Sequence, residues 1–452
     1  TEIRFISLAT IIMLSLHSTI SKEINNTTQK YDCLITKPQL RNMREITLGM
    51  ILGKSCHLTK IGNKSSHEVT PRKNTERYSR ALAGIDSEAC TERHIFCSSL
   101  KFRNEPVLLL GDGGDFQKKH AYKMKGVCKN VDGSDNHSPG RGYPTFAIVA
   151  YGIETKRQLP LCHHLHSTKD EDFKSEWFEH KKCYEKCAPF LNSDYDRIAV
   201  EDRGGDDKKR FLFFVEQQMS FVTRINTGAK SRGLYPVKDD EIEGVVSVQE
   251  LCEQMEKKAG AEKKWRNKKF KKDMISKIAF TEVRLPKHND IPLYLVLLYT
   301  DCFEDPMAVL TDIEVNSFED AWKIFFYYKK RWEVENFFRA IKQQFDAEKF
   351  LIRDFDAIKT LAFIQMMAFA FLCTLREKLL EVCGMLFAWF QEFCRRNQRK
   401  KQSHLDLLHW IREVWNQMPV TVSYRYTSME IHRNCYRKPK NQLRLFSPLK
   451  KW

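Results

Sequence analysis

The rhythm of apolar and polar residues changes several times along this chain, and each change marks an expected element. Residues 1–103 read as short basic helices separated by turns. Residues 46–52 form one apolar helix, Gly53-Lys54 a turn, residues 58–61 the start of the next helix, and residues 75–82 another behind Pro71-Arg72-Lys73. The pattern then switches to uninterrupted apolar runs. Residues 106–110 (PVLLL) read as a strand buried on both faces that ends at Gly111-Asp112-Gly113-Gly114-Asp115. Residues 146–151, 159–161 and 197–200 are further strands, the last running into Glu201-Asp202-Arg203-Gly204. Residues 208–218 have helical character and 220–225 strand character. Strands alternating with helices predict an α/β domain with a partly parallel sheet over 104–225. Residues 226–300 interrupt it as a β-rich insertion. Within it, 278–284 and 291–299 pair as a hairpin around His288-Asn289-Asp290. The α/β domain resumes over 301–383, and a basic C-terminal region occupies 384–452.

One stretch of the resumed domain carries a second periodicity. Read as a single helix from Tyr328, residues Arg331, Glu335, Arg339 and Lys342 fall near roughly 300°, 340°, 20° and 320°, on one narrow face. Val334, Phe337, Phe338, Ile341 and Phe345 occupy the neighbouring arc as a core-facing stripe. A charged stripe taken alone is most often a solvated face. This one lines up a phenol, a carboxylate and three cations beside a buried stripe, which suits a phosphate backbone held next to a metal ligand.

Charge strengthens that reading. The 452 residues carry a formal charge of +17, which points to a polyanionic partner, most simply nucleic acid. The last segment, 384–452, holds fourteen Lys and Arg against four Asp and Glu, a surplus of ten. Binding through such residues weakens steeply with salt. The 14 cysteines are scattered and several sit in or beside apolar runs (Cys302, Cys373), so they read as reduced thiols. The group Cys162, His163, His164, His180, Cys183 and Cys187 has spacing too loose for a standard zinc site. Residues 6–16 resemble the apolar part of a secretory signal but read better as a buried or amphipathic helix. Residues 361–375 are apolar, short for a membrane span, and read as a buried core helix. A secreted cysteine-rich protein is a remaining reading, suggested only by 6–16 and the cysteine count.

Three acids stand out: Asp112 and Asp202, each following a buried strand, and Glu335 on the late helix. Hard oxygen ligands of this kind suit Mg²⁺, and two such ions about 3.5–4 Å apart clamp the attacking and leaving oxygens of an in-line displacement at phosphorus. Gly113 and Gly114 give backbone a phosphate could approach closely. Any one Asp by itself is more commonly a cap or turn residue.

The spacing Y-x2-R-x3-E-x6-K, filled by Tyr328, Arg331, Glu335 and Lys342, resembles the signature of bacterial insertion-sequence transposases of the cut-and-paste DDE type. Residues 110–126 with Asp132-Gly133-Ser134 are similar to that family's first-aspartate block, and 200–206 (VEDRGGD) to its second. Thr311-Asp312, Arg331-Trp332, 342–350 and the closing 440–446 fit as well. The resemblance implies an RNase H-like α/β core, with a helical DNA-binding region before it, a β-rich insertion between the second Asp and the Glu, and a basic helical region after it. It implies Asp112, Asp202 and Glu335 as a catalytic triad binding Mg²⁺ (Mn²⁺ substituting), with Tyr328, Arg331 and Lys342, joined by Arg339 from the same stripe, against DNA phosphates. The partners it implies are double-stranded DNA, both transposon inverted-repeat ends and target, and a second copy of the chain in a synaptic complex in the bacterial cytoplasm. The chain departs from the pattern at Gly111, Gly113, Gly114 and Gly205, where bulkier residues are usual, and Asp115 rivals Asp112. Those departures motivate the alternative of a catalytically impaired, transposase-derived DNA-binding protein.

Overall fold

The computed structural model describes residues 8–64, 69–132, 138–239, 241–267, 272–301, 303–382, 384–397 and 403–417. Gly133-Ser134, Cys302, residues 440–446 and most of the basic tail lie outside the described residues. Five helices open the chain: α1 (Leu8–Gln29), α2 (Lys37–Gly53), α3 (Leu58–Gly62), α4 (Pro71–Ala83) and α5 (Ser87–Ser99). Local chemistry sets their ends. Thr36 and Gln39 form a reciprocal capping box at the start of α2, with Pro38 in the first turn, and Lys54 stops it in the left-handed conformation at φ 51°. Asp86 caps α5 by accepting from the Glu88 and Ala89 amides, each at 3.0 Å.

Among the described residues thirteen strands form one sheet. They are β1 (Val107–Gln117), β2 (Cys128–Asp132), β3 (Ser138–Gly152), β4 (Gln158–Leu165), β5 (Arg197–Glu201), β6 (Ser220–Ile225), β7 (Gly233–Lys238), β8 (Glu241–Ile242), β9 (Val246–Ser247), β10 (Gly260–Asn267), β11 (Lys272–Leu285), β12 (His288–Thr300) and β13 (Phe303–Thr311). The order is β2-β3-β1-β5-β6-β13-β12-β11-β7-β8, with β4 also on β3, β10 on β11 and β9 on β7. The pairs β4-β3 and β3-β1 are antiparallel, while β1-β5 and β5-β6 are parallel. The order and mixed sense place this chain in the α/β class, as expected. Helices α6 (Glu176–Cys187), α7 (Lys208–Glu216), α8 (Val248–Glu256), α9 (Phe318–Lys329), α10 (Trp332–Arg339), α11 (Phe355–Val382), α12 (Gly384–Arg396) and α13 (His404–Gln417) complete the molecule.

Helix α11 is long and apolar enough to cross a membrane, yet nearly all of it is buried within the protein, as the sequence reading of 361–375 anticipates. Phe363 on α11 packs edge-on against Tyr31, their centroids 5.5 Å apart, so the opening helices share the core of the sheet domain.

Three local expectations change. The strand expected at 106–110 continues to Gln117, because β3 pairs with it antiparallel along its whole length and overrides the weak strand preference of three glycines. The hairpin of the insertion turns at Pro286-Lys287, with Leu285 opposite His288, so His288-Asn289-Asp290 belong to β12. Beyond that hairpin, β13 pairs with both β12 and β6 and carries the sheet onward. Residues 328–342 are not one helix. Lys330 and Arg331 form a turn between α9 and α10, and Ala340–Gln344 widen into a π-helical turn.

Candidate active site

Strand register brings the two aspartates together. Leu110 of β1 lies beside Val200 of β5 in the parallel pair; two residues on come Asp112, within β1, and Asp202, still extended just past the end of β5. Steps of two keep a side chain on one face of a pleated sheet. Strand β5 stops at Glu201 while β1 runs on, so Asp112 emerges where its neighbour ends. Outer ends of parallel strands are where open α/β sheets commonly place their ligands. Asp202 caps the short 3-10 turn Arg203–Gly205, its Oδ1 accepting from the Gly204 amide at 2.8 Å.

Helix α10 supplies the third acid. Val334, Phe337, Phe338, Ile341 and Phe345 are all buried, as the apolar stripe predicts. Phe338 presses on Gly114: a Cβ there would lie 2.7 Å from the ring. Tyr184 and Phe146 fill the space over Gly111 in the same way, Phe146 at 2.9 Å from a would-be Cβ. Two of the three glycines around Asp112 are therefore explained by close packing, and Gly114 is covered by Phe338 instead of lying open to a phosphate. Gly113 alone of the three faces open space.

The Arg331 guanidinium bridges the acids. Its Nη1 donates to Asp112 Oδ2 at 3.1 Å and its Nη2 to Glu335 Oε1 at 2.5 Å. Burial pushes the Asp112 carboxyl up to about 7; Arg331 opposes this, while Asp202 and Glu335 push further in the same direction. Burial works against the Arg331 charge, but Asp112, Tyr328 and Glu335 outweigh it and hold the guanidinium protonated. Tyr328 is buried in the last turn of α9, its ring centroid 6.0 Å from that guanidinium. Lys342 turns elsewhere, donating to Asp115 Oδ1 at 2.5 Å and lying 3.4 Å from Glu348 Oε1. Asp115 is thus already neutralised by a lysine. Arg339 is exposed and donates to Asn336 Oδ1 at 3.1 Å. The structure brings Asp112, Glu335, Arg331 and Tyr328 together, places Asp202 at the adjoining strand end, and sets Lys342 and Arg339 apart from them.

Among the described residues no three His, Cys, Asp or Glu side chains converge into a group able to hold a metal ion. The chemistry of Asp112, Asp202 and Glu335 nevertheless fits a hard divalent cation. They are oxygen donors; burial chiefly, with Asp202 and Glu335 adding to it, raises the Asp112 carboxyl, and a cation beside it would relieve both effects. The Cys162 group is divided among other tasks. His164 bonds Glu179 at 2.8 Å, His180 accepts from Arg210 at 3.1 Å, and Cys162, Cys183 and Cys187 are buried free thiols.

Glu201, the residue before Asp202, has no counterpart in the sequence reading. It is buried in β5 and takes Nη1 of Arg210 on both carboxylate oxygens at 3.0 Å, plus the Tyr184 hydroxyl at 3.0 Å. The available signal was an acid inside an apolar strand with an arginine nine residues on.

Residues 188–371 match the family described as a transposase DDE domain. The matched segment contains Asp202, Tyr328, Arg331, Glu335 and Lys342; Asp112 precedes it. None of the curated proteins matches the chain. Among solved structures the chain is similar to a piggyBac transposase in a synaptic complex with hairpin DNA, determined by cryo-electron microscopy. That similarity has a TM-score of 0.40 and 11% identity, and covers 97% of this chain and 87% of the other.

Proposed function

We propose that this protein is a DNA transposase whose catalytic acids are Asp112, Asp202 and Glu335. The observation that carries the reading is the register of β1 against β5, which sets Asp112, within β1, beside Asp202 at the end of β5, with Glu335 tied to Asp112 through Arg331. The transposase DDE match over 188–371 supports it. The order β4-β3-β1-β5-β6, antiparallel on one side of β1 and parallel on the other, supports an RNase H-like core interrupted by a β-rich insertion. The opening helices and the basic C-terminal region are then the segments that grip DNA.

The three acids would hold Mg²⁺, with Mn²⁺ able to substitute. Once bound, the ion supplies Lewis-acid stabilisation and an activated oxygen nucleophile. The chain's own residues bind and orient. Arg331 is placed to exchange its carboxylate partners for a phosphate, a planar fork matched to either. Lys342 offers a point charge further along the strand, and Tyr328 backs the guanidinium. Asp112 gives up its proton as positive charge arrives beside it. The reaction would release a 3′-hydroxyl at a transposon end and join it to target DNA, in a synaptic complex of two copies.

A supercoiled plasmid carrying the element's own terminal repeats tests this. Wild-type protein nicks at the repeat with Mg²⁺ or Mn²⁺. Asp202→Asn abolishes nicking and leaves repeat binding within about twofold of wild type. An Asp202→Asn protein that still cuts normally refutes the assignment. The second reading, a transposase-derived DNA-binding protein without catalysis, is favoured by the guanidinium lying between Asp112 and Glu335; it requires repeat binding without nicking by the wild type.

A further inference from the structure

A polar cluster whose centre, Tyr184, Glu201 and Arg210, is buried lies directly behind the two aspartates. Glu201 is 2% exposed and Tyr184 fully buried. The Glu201 carboxylate accepts three hydrogen bonds, two from Arg210 and one from Tyr184, each at 3.0 Å. Arg210 is fixed in turn: its Nη2 donates to His180 Nδ1 at 3.1 Å, and its guanidinium lies 4.6 Å above the Trp177 ring. His180 stacks on Phe146, centroids 4.0 Å apart. Tyr184, Glu201 and Arg210 are all buried, and none of them belongs to the triad.

Stability alone is a weak account of this arrangement. A buried ion pair pays a desolvation cost that its attraction often fails to recover, and apolar residues of similar volume frequently serve as well or better. What the cluster does is touch backbone at three informative points. The Tyr184 hydroxyl and the Phe146 ring occupy the space above Gly111, the residue before Asp112. Glu201 is itself the residue before Asp202. Its carboxylate also fills the space above Gly205, which closes the turn that Asp202 caps. A side chain larger than hydrogen at Gly111 or Gly205 would displace the hydroxyl or the carboxylate. Both glycines depart from the family pattern, and the cluster demands both.

We propose that Tyr184, Glu201 and Arg210 form a positioning clamp that fixes the separation of Asp112 and Asp202. The hydroxyl-to-carboxylate bond joins α6, which bears on β1, to the end of β5. The arginine from α7, bonded to both carboxylate oxygens, locks that carboxylate in one rotamer. None of the three touches substrate; they act through the backbone on the two acids. This inference rests on the functional reading above, since it matters only if the two acids share a cation.

Full-length, DNA-free protein titrated with Mn²⁺ alone, with free ion followed by electron paramagnetic resonance, tests it. Tyr184→Phe keeps the ring and removes the bond. It should weaken Mn²⁺ binding by about 10- to 100-fold, the range for residues that orient metal ligands, while the thermal midpoint moves little. The double variant Glu201→Met/Arg210→Met removes both charges and leaves neither unpaired, so it keeps the question answerable if a single change unfolds the protein; the same loss of affinity is expected. Folded variants that bind Mn²⁺ as the wild type does overturn the clamp, and so does a lowered midpoint with unchanged affinity, which marks simple packing. If wild-type protein shows no uptake that Asp202→Asn abolishes, the functional reading fails and this inference with it. Uptake in the wild type with none of the expected loss in the variants defeats the clamp alone.

Discussion

Replacing Asp112 by asparagine should stabilise the metal-free protein, by an amount that depends on pH. The folded protein keeps the Asp112 carboxyl protonated up to about 7, chiefly because burial penalises the anion, against an ordinary value of 3.8. Between those values the folded state holds a proton that the unfolded chain has released. Stability is therefore fully present at low pH and is lost as pH rises through the folded value. The difference between those two values corresponds to roughly 4 kcal/mol at most. With the side chain still 17% exposed, roughly 2–4 kcal/mol is the reasonable range. The amide that replaces the carboxyl keeps its shape and carries no charge to desolvate. In chelator-treated protein, urea unfolding at about pH 8 should show Asp112→Asn more stable by that margin, and the gain should shrink by more than half at about pH 5. A variant less stable than wild type at the higher pH, or a gain indifferent to pH, refutes the picture of a buried, strained carboxylate.

Gly111→Ala forces a methyl group toward the Tyr184 hydroxyl and the Phe146 ring. A drop of about 1–3 kcal/mol in stability is expected by thermal unfolding, partly restored when Tyr184→Phe is added; an unchanged midpoint removes the packing explanation of that glycine. Arg331→Met takes away the cation that now bridges Asp112 and Glu335, so DNA-free protein should bind Mn²⁺ about fivefold tighter or more by calorimetry. Weaker uptake would mean that the guanidinium supports the acids instead of competing for them.

Legibility from sequence followed the strength of local patterning. The run through Leu108, Leu109 and Leu110 reads as a buried strand and is one, and 220–225 coincides with β6, whose Phe221, Val222 and Ile225 are buried. The stripe from Val334 to Phe345 announced which side of α10 is buried. What sequence concealed was set by distant contacts. Strand β1 outlasts its apolar run because β3 holds it, a pairing made more than twenty residues on. The break after Lys329 and the wide turn at Ala340–Gln344 leave no compositional mark, so an even 100° step misplaces Lys342 beside Arg331 when it faces Asp115. Glycines 111, 114 and 205 resembled lapses from a family pattern until Tyr184, Phe338 and Glu201 were seen filling the room they leave. The start of α2 was available, in Thr36, Pro38 and Gln39, to a reading that weighed caps more heavily.

The sheet's continuity through β13 has a consequence for dissection. Trimming away 226–300 to obtain a minimal core would strip β12 from one flank of β13 and leave an apolar rim seeking any chain that could zip onto it. The strands of 226–300 share one hydrogen-bonded sheet with β1, β5 and β6. The far border at β8 is joined, through β7, β11, β12, β13 and β6, to the strand that ends beside Asp202. Shortened versions are accordingly expected to clump or melt before they reveal anything about which portion grips nucleic acid.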